Sequence, residues 1–330
     1  MGETFRPAYR RLGAVRPALL KSKPAGTQIA IAAFTATADS QAQQTIQQVL
    51  QLQQPTIFRI NPYRQNLHLK VQTVFTPRGR RQQLLKFIQA TGQDIGLGYA
   101  RTRRDTENLA QWLTQFGYPT AAYHAGLSPD ERRAIEAAWL NAKIPFVVCT
   151  SAFGMGINKS NVRWVVHFHP PLLLSEYVQE IGRAGRDGKQ SVVLMLISEL
   201  TGWLDPEDKQ RQQFFENHER QQRQMAHQLI KRIPAQGDID TVVRQFKQGA
   251  VALSLLHSIG QLEWQDPFHY SIKQSANSLF STQDAARQGM DRYLKTKKCR
   301  WQFVLKAFGF GQDAEALQTG CGHCDRCSPN

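Results

Sequence analysis

Five apolar runs separated by helical patterns dominate the first two hundred residues and constrain the fold most strongly. Each run has the length of a buried strand; they are IAIAAFTATAD (29–39), DIGLGYAR (94–101), IPFVVCTSA (144–152), RWVVHFH (163–169) and SVVLMLIS (191–198). Between them, residues 105–117 and 128–142 have the apolar spacing of amphipathic helices. In the second helix, Ser128 and Glu131 form a capping-box pattern around Pro129. Strands that alternate with helices of this length predict a parallel α/β sheet.

The segment beyond residue 202 has a different character. Residues 206–232 are rich in glutamine and in charges of both signs, which predicts an exposed helix. Residues 238–247 and 249–260 read as two short helices, and LEWQ with FHYSIKQ reads as a hairpin. The order helix, helix, hairpin is winged-helix-like and common among DNA-binding proteins. A plain spacer domain fits the same pattern.

The charge balance indicates a polyanionic partner. The chain has a net charge of +15, and most of the excess falls within residues 1–200. A basic surface of this size is typical of proteins that bind nucleic acid, although solubilising charge is the simpler alternative. No run of eighteen apolar residues and no charged-then-apolar leader occurs, so the sequence predicts a soluble, cytosolic protein with no membrane contact.

The segment EYVQEIGRAGRDGKQ (176–190) places Arg183 and Arg186 three positions apart among three glycines. Glycine permits close approach of the backbone to a ligand, and the planar fork of arginine matches phosphate. The pattern therefore predicts a phosphate contact. The alternative is a surface turn in which these arginines pair with Asp187.

Four of the five cysteines fall near the end of the chain. Cys321, Cys324 and Cys327 are each separated by two residues, and Cys299 lies upstream in a segment that looks helical until Gly309. Four thiolates suit a closed, structural, tetrahedral zinc site. His323 is a competing ligand that the fourth cysteine makes unnecessary, and a reduced, metal-free cluster is the alternative. The fifth cysteine, Cys149, lies in an apolar run and is predicted to be a buried core thiol.

An ordered set of motifs across residues 5–327 resembles the RecQ family of superfamily 2 DNA helicases. The segment QEIGRAGRDG (179–188) resembles motif VI in its RecQ form. The other matching segments are FRPAYRRLG (5–13, the end of the aromatic-rich loop), AFTATAD (33–39, motif III), YARTRRDTENLA (99–110, motif IV), AYHAGL (122–127, the segment before motif V) and VVCTSAFGMGINKSNVRWVVH (147–167, motif V). Each motif alone is modest evidence, whereas the ordered set is specific.

The resemblance implies an ATP-dependent 3′–5′ helicase that unwinds DNA in recombination and repair. It implies a RecA-like second motor lobe and a small zinc-binding module, whereas family members commonly have a winged helix after the zinc site and this chain has its winged-helix-like segment before it. Arg186 would be the arginine finger, Arg183 its companion and Gln179 the coupling residue, with Gly154 and Gly156 also near the nucleotide. The implied DNA contacts are Thr35, Thr37, Arg101, His124, Thr150, Ser151 and Asn158. The family also has a zinc site with one distant and three close cysteines, and its partners are single-stranded and junction DNA.

Two family elements do not occur in the sequence. There is no G-x-x-x-x-G-K-[ST] loop, and no Asp-Glu-Ala-His follows a buried strand. The expectation is therefore the C-terminal part of a RecQ helicase that binds DNA but uses ATP and Mg²⁺ only with a missing first lobe. The alternatives are a non-catalytic DNA- or partner-binding module and a split motor completed by a separate chain. A nucleoid-associated, cytoplasmic location would follow.

Four domains are expected from these patterns. They are a remnant of the first motor lobe (1–60), the second lobe (61–205), a helical insertion (206–290) and the zinc-binding module (291–330).

Overall fold

The chain divides into two compact structural units. The computed structural model describes residues 7–153, 157–199, 201–273 and 283–328. We call Ile60–Gln212 with Arg287–Asn330 the large unit, and Met1–Arg59 with Gln213–Ala286 the small unit. The four domain boundaries expected from the sequence stay a prediction.

The described residues form strands and helices in the following chain order. The strands are β1 (Leu67–Val74), β2 (Gly96–Tyr99), β3 (Thr120–Tyr123), β4 (Phe146–Cys149), β5 (Trp164–His167), β6 (Ser191–Ser198), β7 (Gln236–Asp238), β8 (Leu262–Trp264) and β9 (His269–Ile272). The helices, after a 3₁₀ turn at Pro7–Arg11, are α1 (Leu12–Leu20), α2 (Ser40–Val49), α3 (Pro77–Thr91), α4 (Arg103–Gln115), α5 (Pro129–Leu140), α6 (Leu174–Ile181), α7 (Glu207–Ile230), α8 (Ile239–Gln245), α9 (Gly249–Ser258), α10 (Gln283–Lys295), α11 (Arg300–Ala307) and α12 (Gly311–Ala316).

The large unit is built on a six-stranded sheet in the order β1-β6-β5-β2-β4-β3, and every neighbouring pair is parallel. Because successive side chains of a strand point to opposite faces, the sheet buries two apolar layers. Val147 and Val165 belong to the layer packed by α5, α6, α10 and α11, while Val148 and Val166 belong to the layer packed by α3 and α4. Both faces are covered, which explains why the central strands are continuous apolar runs. The predicted parallel α/β fold is confirmed.

Strand β2 is unusually rich in glycine for a packing reason. A Cβ atom on Gly96 would lie 1.9 Å from the indole ring of Trp164 in the neighbouring strand β5. Any side chain at this position would therefore displace a tryptophan that is only 1% exposed. Glycine at residue 96 lets the indole cross the strand.

The capping box predicted at the start of α5 is confirmed. Ser128 caps the helix, with its hydroxyl accepting from the Glu131 amide at 3.2 Å, and the Glu131 carboxylate accepts from the Ser128 amide at 2.8 Å. Pro129 occupies the first turn. The sequence therefore fixes the start of this helix locally.

One predicted strand is wrong. Residues 29–39 form no strand, and Phe34 within them is 94% exposed. A strand needs a hydrogen-bonded neighbour, and none of the described residues pairs with this segment. By contrast, β1 and β3 were not predicted, although both belong to the main sheet.

The small unit contains a three-stranded antiparallel sheet in the order β7-β9-β8, packed by α8 and α9. The two predicted helices and the hairpin are present, and β7 adds a strand that pairs with β9. Helix α9 buries Ala252, Leu253 and Leu256 completely, and its sequence contains no lysine or arginine. The element that would read a DNA groove in a winged helix is therefore mainly a core helix in this chain.

Candidate functional site

The two predicted phosphate-binding arginines lie on the loop between α6 and β6, which we call the arginine loop (182–190). Arg186 donates from Nη1 to Asn158 Oδ1 at 2.7 Å and from Nε to the Gly182 carbonyl at 3.2 Å. Arg183 is half-buried. Both side chains line one shallow depression together with Leu97, Trp139, Phe153, Ile157, Lys159 and Val162. The arginines are therefore held against the body of the large unit.

The alternative role of a simple surface turn does not fit the ion pairs. Asp187 is held by Arg163, whose Nη2 lies 2.6 and 2.7 Å from the two carboxylate oxygens. This ion pair closes the turn without either Arg183 or Arg186. Three guanidinium groups instead gather here. Burial lowers the pKa of Arg186, and the nearby charges of Arg183 and Arg64 lower it further. A cluster of like charges of this kind favours an anion.

Arg64 and Asn66 clamp the arginine loop at Gly185. The Gly185 carbonyl accepts a hydrogen bond from Arg64 Nη2 and another from Asn66 Nδ2 at 2.8 Å. Asn66 Nδ2 also donates to the Lys189 carbonyl at 2.8 Å. Gly185 has φ +58°, and a Cβ atom there would lie 2.4 Å from Asn66 Nδ2. The clamp therefore requires glycine between the two arginines.

The clamp follows from the sheet topology. Strands β1 and β6 are parallel neighbours in which Leu67 pairs with Ser191, and the Ser191 amide donates to the Asn66 carbonyl at 2.8 Å. The residues that precede β1 must therefore face the residues that precede β6. Sequence reasoning missed Arg64 and Asn66, because their role appears only when this strand pairing is known.

The remaining predicted nucleotide-site residues are less defined. Gln179 lies half-buried in the last turns of α6, two residues before that helix ends. Gly154 and Gly156 lie outside the described residues. The Tyr99 hydroxyl lies near Arg183; burial raises its pKa well above the usual value, and the Arg183 charge opposes that rise. This proximity indicates that the Arg183 side chain is directed inward.

Several predicted DNA contacts follow the carboxyl ends of parallel strands. Arg101 comes after β2, His124 after β3, and Thr150 with Ser151 after β4. In an open α/β sheet, ligands bind in the crevice beyond this edge. We call it the carboxyl edge. The topology therefore brings these four candidates to one side of the sheet.

These candidates differ in how available they are. Ser151 is exposed, and Thr150 is half-buried with its hydroxyl accepting from the Ala152 amide at 3.4 Å. Arg101 lies 3.4 Å from Glu176. His124 is 4% exposed, and its ring contacts Glu107 at 2.8 Å and the Gly126 amide at 3.2 Å. Both ring nitrogens of His124 are thus engaged, which favours a structural role for this histidine over a DNA contact.

The other three candidates lie elsewhere. Asn158 bonds to Arg186 and so belongs with the arginine loop. Thr35 and Thr37 lie in the small unit, where the Thr35 hydroxyl accepts from the Thr37 amide at 3.3 Å. Thr35 is exposed and Thr37 is half-buried.

The four predicted cysteine ligands come together. The Sγ atoms of Cys299, Cys321, Cys324 and Cys327 all lie within 4.8 Å of one another. Cys327 Sγ is 4.0 Å from Cys321 Sγ and 3.6 Å from Cys324 Sγ. Zn–S bonds of about 2.3 Å at tetrahedral angles place sulfur atoms roughly 3.8 Å apart, so these separations fit. The cluster could hold a metal ion.

His323 serves the surrounding structure instead of the cluster. Its Nδ1 lies 3.0 Å from the Leu67 carbonyl, and its Nε2 lies 3.1 Å from the Tyr63 hydroxyl. The backbone amides of Arg300 and Cys321 point at Cys324 Sγ and Cys299 Sγ at 3.4 and 3.3 Å. Amide donors of this kind stabilise thiolates, which are the metal-binding form.

The cysteine module is attached to the edge strand β1. Cys324 forms a β-bridge with Leu69, and the Asp325 amide donates to the Leu69 carbonyl at 2.9 Å. Arg300 is fully buried and makes two bonds of 2.9 Å to the Asp325 carboxylate. The module therefore covers an edge that would otherwise present unpaired backbone groups.

Comparisons with known proteins agree on one family. The model of the helicase conserved C-terminal domain matches residues 79–188. The ATP-dependent DNA helicase RecQ of Synechocystis is 46% identical over 329 residues, which cover 99% of this chain and 68% of that protein. RecQ of Pasteurella multocida is 36% identical over 218 residues, which cover 64% of this chain and 33% of that protein.

Among solved structures, yeast Dbp5 bound to RNA and ADP BeF3 matches 55% of this chain and 48% of its own. Its TM-score is 0.48 at 17% identity. Among the described residues, none of the helices combines the length and apolar character that a bilayer crossing requires.

Proposed function

This chain belongs to the RecQ family of DNA helicases, and we propose that its large unit is the second motor lobe of a 3′–5′ unwinding enzyme. The observation that carries the proposal is the gathering of Arg64, Arg183 and Arg186 at a clamped loop whose carboxylate, Asp187, pairs elsewhere. Such a cluster suits a triphosphate that a first lobe presents across a cleft.

The arginine loop suits phosphoryl transfer for a physical reason. Charge on the transferred phosphoryl group is spread over its oxygens, and a guanidinium fork offers several donors to them. We assign Arg186 as the finger, Arg183 as its companion and Gln179 as the coupling residue. The clamp at Gly185 would keep the two arginines at a fixed spacing, which lowers the cost of positioning them.

ATP hydrolysis requires a loop that holds the phosphates and acidic residues that position Mg²⁺, and the sequence motifs for both are missing from this chain. The sequence contains no phosphate-cradling G-x-x-x-x-G-K-[ST] and no Asp-Glu-Ala-His after a strand. We therefore propose that the isolated chain binds DNA without hydrolysing ATP, and that ATP and Mg²⁺ bind only with a first lobe. That lobe would come from the same or a separate polypeptide.

Two exposed segments of the small unit support the association with a first lobe. Residues 29–35 and 55–58 belong to none of the described helices or strands, and they contain Phe34 and Phe58, which are 94% and 91% exposed. Apolar, sheet-forming residues are costly to leave in water. Pairing with strands of a first lobe would bury them.

The proposed DNA site is the carboxyl edge of the large unit. Arg101, Thr150 and Ser151 provide a cation and two hydroxyl groups there, which are common partners of phosphate oxygens. The net charge of +15 favours the same partner. We propose single-stranded and junction DNA as substrates, and a nucleoid-associated location as their consequence.

The cysteine cluster is proposed to hold one structural zinc ion. The residues present fit this metal, because four sulfur atoms lie within 4.8 Å of one another and two of their separations, 4.0 and 3.6 Å, are close to those of a tetrahedral zinc site. The ion would supply cross-linking and no chemistry of the reaction. Cys299 would tie the start of α11 to the loop that contains the other three ligands.

A DNA-stimulated ATPase assay tests the motor proposal. The isolated chain is expected to show no turnover, and addition of a separately produced first lobe of the Synechocystis relative is expected to restore it. In that mixture Arg186→Ala should lower the rate by about 10³-fold or more, and Arg186→Lys should rescue little, because lysine lacks the planar fork.

Arg133→Ala is the matched control, since Arg133 is an exposed arginine paired with Asp130 on α5. Turnover by the isolated chain that Arg186→Ala abolishes would show that the site is complete without a first lobe. DNA binding with no restored turnover would instead favour the second candidate, a non-catalytic binding module.

A further inference from the structure

One tryptophan stands apart from the other five. Trp203 lies in the loop between β6 and α7 and is 85% exposed, whereas the others are buried or half-buried. An indole is costly to leave in water, and exposed aromatic residues often mark binding sites. The exposure of Trp203 has functional meaning if the fold holds the loop in the conformation that presents the indole to solvent.

The side chain of Glu199 holds this loop through hydrogen bonds to the residues that follow it. Its carboxylate accepts hydrogen bonds from the Thr201 amide and hydroxyl, both at 2.6 Å, from the Trp203 amide at 2.5 Å and from the Leu204 amide at 3.0 Å. These bonds, that of the Thr201 hydroxyl foremost, lower the pKa of Glu199 to about 2. Gly202, with φ +63°, completes the turn. The Glu199 carboxylate therefore stays ionised at neutral pH and holds the backbone amides of Thr201, Trp203 and Leu204.

A buried ion pair holds the base of the same loop. Arg80 and Asp205 are both fully buried, and Arg80 Nη2 lies 3.0 Å from Asp205 Oδ2. Arg80 also donates to the Phe168 and Leu196 carbonyls. Asp208 accepts from the Ser198 amide at 2.6 Å and from Arg80 at 2.9 Å. Both ends of the loop are thus anchored, so the backbone that presents Trp203 loses little freedom on binding.

The loop lies on the carboxyl edge, the edge of the proposed DNA contacts. It begins where β6 ends, and the Glu199 amide donates to the Val74 carbonyl of β1 at 3.0 Å. Strands are about 4.8 Å apart, so the end of β6 lies roughly 10 Å from the end of β2, where Arg101 follows. Phe75, which is 60% exposed, follows β1 at this edge too. One short single strand can therefore reach both Arg101 and Trp203.

A cation lies beside the indole loop. The aliphatic part of Lys209 packs next to Gly202, at 3.3 Å from the position a Cβ atom would take there. Proteins that bind single strands combine aromatic platforms for the bases with cations along the backbone. Trp203 and Lys209 supply one of each.

We propose that Trp203 is a stacking platform for a base of single-stranded DNA bound along the carboxyl edge of the large unit. This inference rests on the proposed DNA binding and adds a residue to it. Stacking needs only the π-face that every base has, so the contact tolerates any sequence. Glu199 is a positioning residue in this scheme, because it acts only through the loop.

Fluorescence anisotropy of labelled oligothymidine tests the proposal. Trp203→Ala is expected to weaken binding between about fivefold and a hundredfold, and Trp203→Phe is expected to retain part of the affinity. The slope of log Kd against log salt should stay unchanged in Trp203→Ala, because stacking releases no counterions, whereas Arg101→Ala should reduce it by about one. Glu199→Ala should also weaken binding although Trp203 is still present, because the loop loses the hydrogen bonds that hold the Trp203 and Leu204 amides.

Phe116→Ala is the matched control. Phe116 is a 54% exposed aromatic residue that follows the end of α4, a helix that runs back toward the opposite edge of the sheet. This variant should bind DNA like the wild type, and circular dichroism should show all variants folded. In addition, DNA should protect Trp203 from acrylamide quenching.

The outcomes separate this inference from the function on which it rests. If the wild type does not bind oligothymidine, DNA binding itself is wrong and the inference falls with it. If the wild type binds and Trp203→Ala binds equally well, only the stacking role is refuted. Loss of a concentration-dependent self-association in Trp203→Ala, with DNA affinity unchanged, would identify Trp203 as a contact between copies and would also overturn the proposal.

Discussion

Replacement of Arg80 by alanine is expected to destabilise the large unit severely. The guanidinium is fully buried and makes bonds to Asp205, Asp208, the Ser198 hydroxyl and two carbonyl groups. Truncation leaves Asp205, which is also fully buried, without its counter-charge. Breaking one partner of a buried pair typically costs about 3–5 kcal/mol. Cavity formation and two unsatisfied carbonyl groups act in the same direction.

Native-state hydrogen exchange is the suitable assay, because the two units need not unfold together. Amides of β6 and α3 should exchange at least about a hundredfold faster in Arg80→Ala, since about 1.4 kcal/mol corresponds to a factor of ten. Arg133→Ala is the control; Arg133 and Asp130 have side chains that are 70% and 90% exposed, and such surface pairs contribute about 0–1 kcal/mol.

A change below about 1 kcal/mol in Arg80→Ala would refute the argument that this ion pair anchors the loop. The double variant Arg80→Met with Asp205→Leu sharpens the test. It removes both charges, so it should be more stable than Arg80→Ala if the uncompensated carboxylate causes the damage.

Three further predictions concern other parts of the chain. Asn66→Ala should speed amide exchange in the arginine loop by roughly 5- to 100-fold, because it removes two hydrogen bonds to carbonyls, whereas Asn161→Ala should not. Elemental analysis of reduced protein should find about one zinc per chain, and Cys321→Ser should lower this content; none in the wild type would contradict the proposed site. Burial, aided by Arg10, lowers the pKa of His257 from 6.5 to about 4, so this histidine takes up a proton more readily when unfolded. The small unit should therefore lose stability as pH falls from 6.5 toward 4, and His257→Gln should flatten that dependence in urea titrations.

The strands that were predictable from sequence are the central ones. Strands β2, β4 and β5 are buried along their whole length and read as continuous apolar runs. The two missed strands, β1 and β3, are the edges of the sheet. Polar residues such as Lys70 and Gln72 interrupt β1, because this strand is only partly covered: Lys70 is exposed and Gln72 is half-buried. The apolar run 29–39 is not a strand, since apolar character alone supplies no pairing partner.

The candidate sites also contain some residues that were predictable from sequence and others that were not. The cysteine cluster was predictable because three ligands are neighbours in sequence and their spacing alone suffices. The placement of Arg183 and Arg186 on one glycine-rich loop was predictable from sequence, and their phosphate-binding role stays a prediction. Arg64 and Asn66 were not, because they reach Gly185 only through the register of two strands that are more than a hundred residues apart. The exposure of Trp203 likewise depends on a buried arginine that the sequence does not distinguish from a surface one.

Strand β1 is gripped from two sides over only a few residues. The cysteine module holds it at Leu67 and Leu69, and the residues immediately before it brace the arginine loop. Oxidation of the thiols would weaken the contacts between the cysteine module and β1. It would thereby also weaken the contacts that Asn66, just before β1, makes with the arginine loop. Thiol oxidation near the end of the chain would then also disturb the loop that contains Arg183 and Arg186, because Asn66 holds that loop at Gly185.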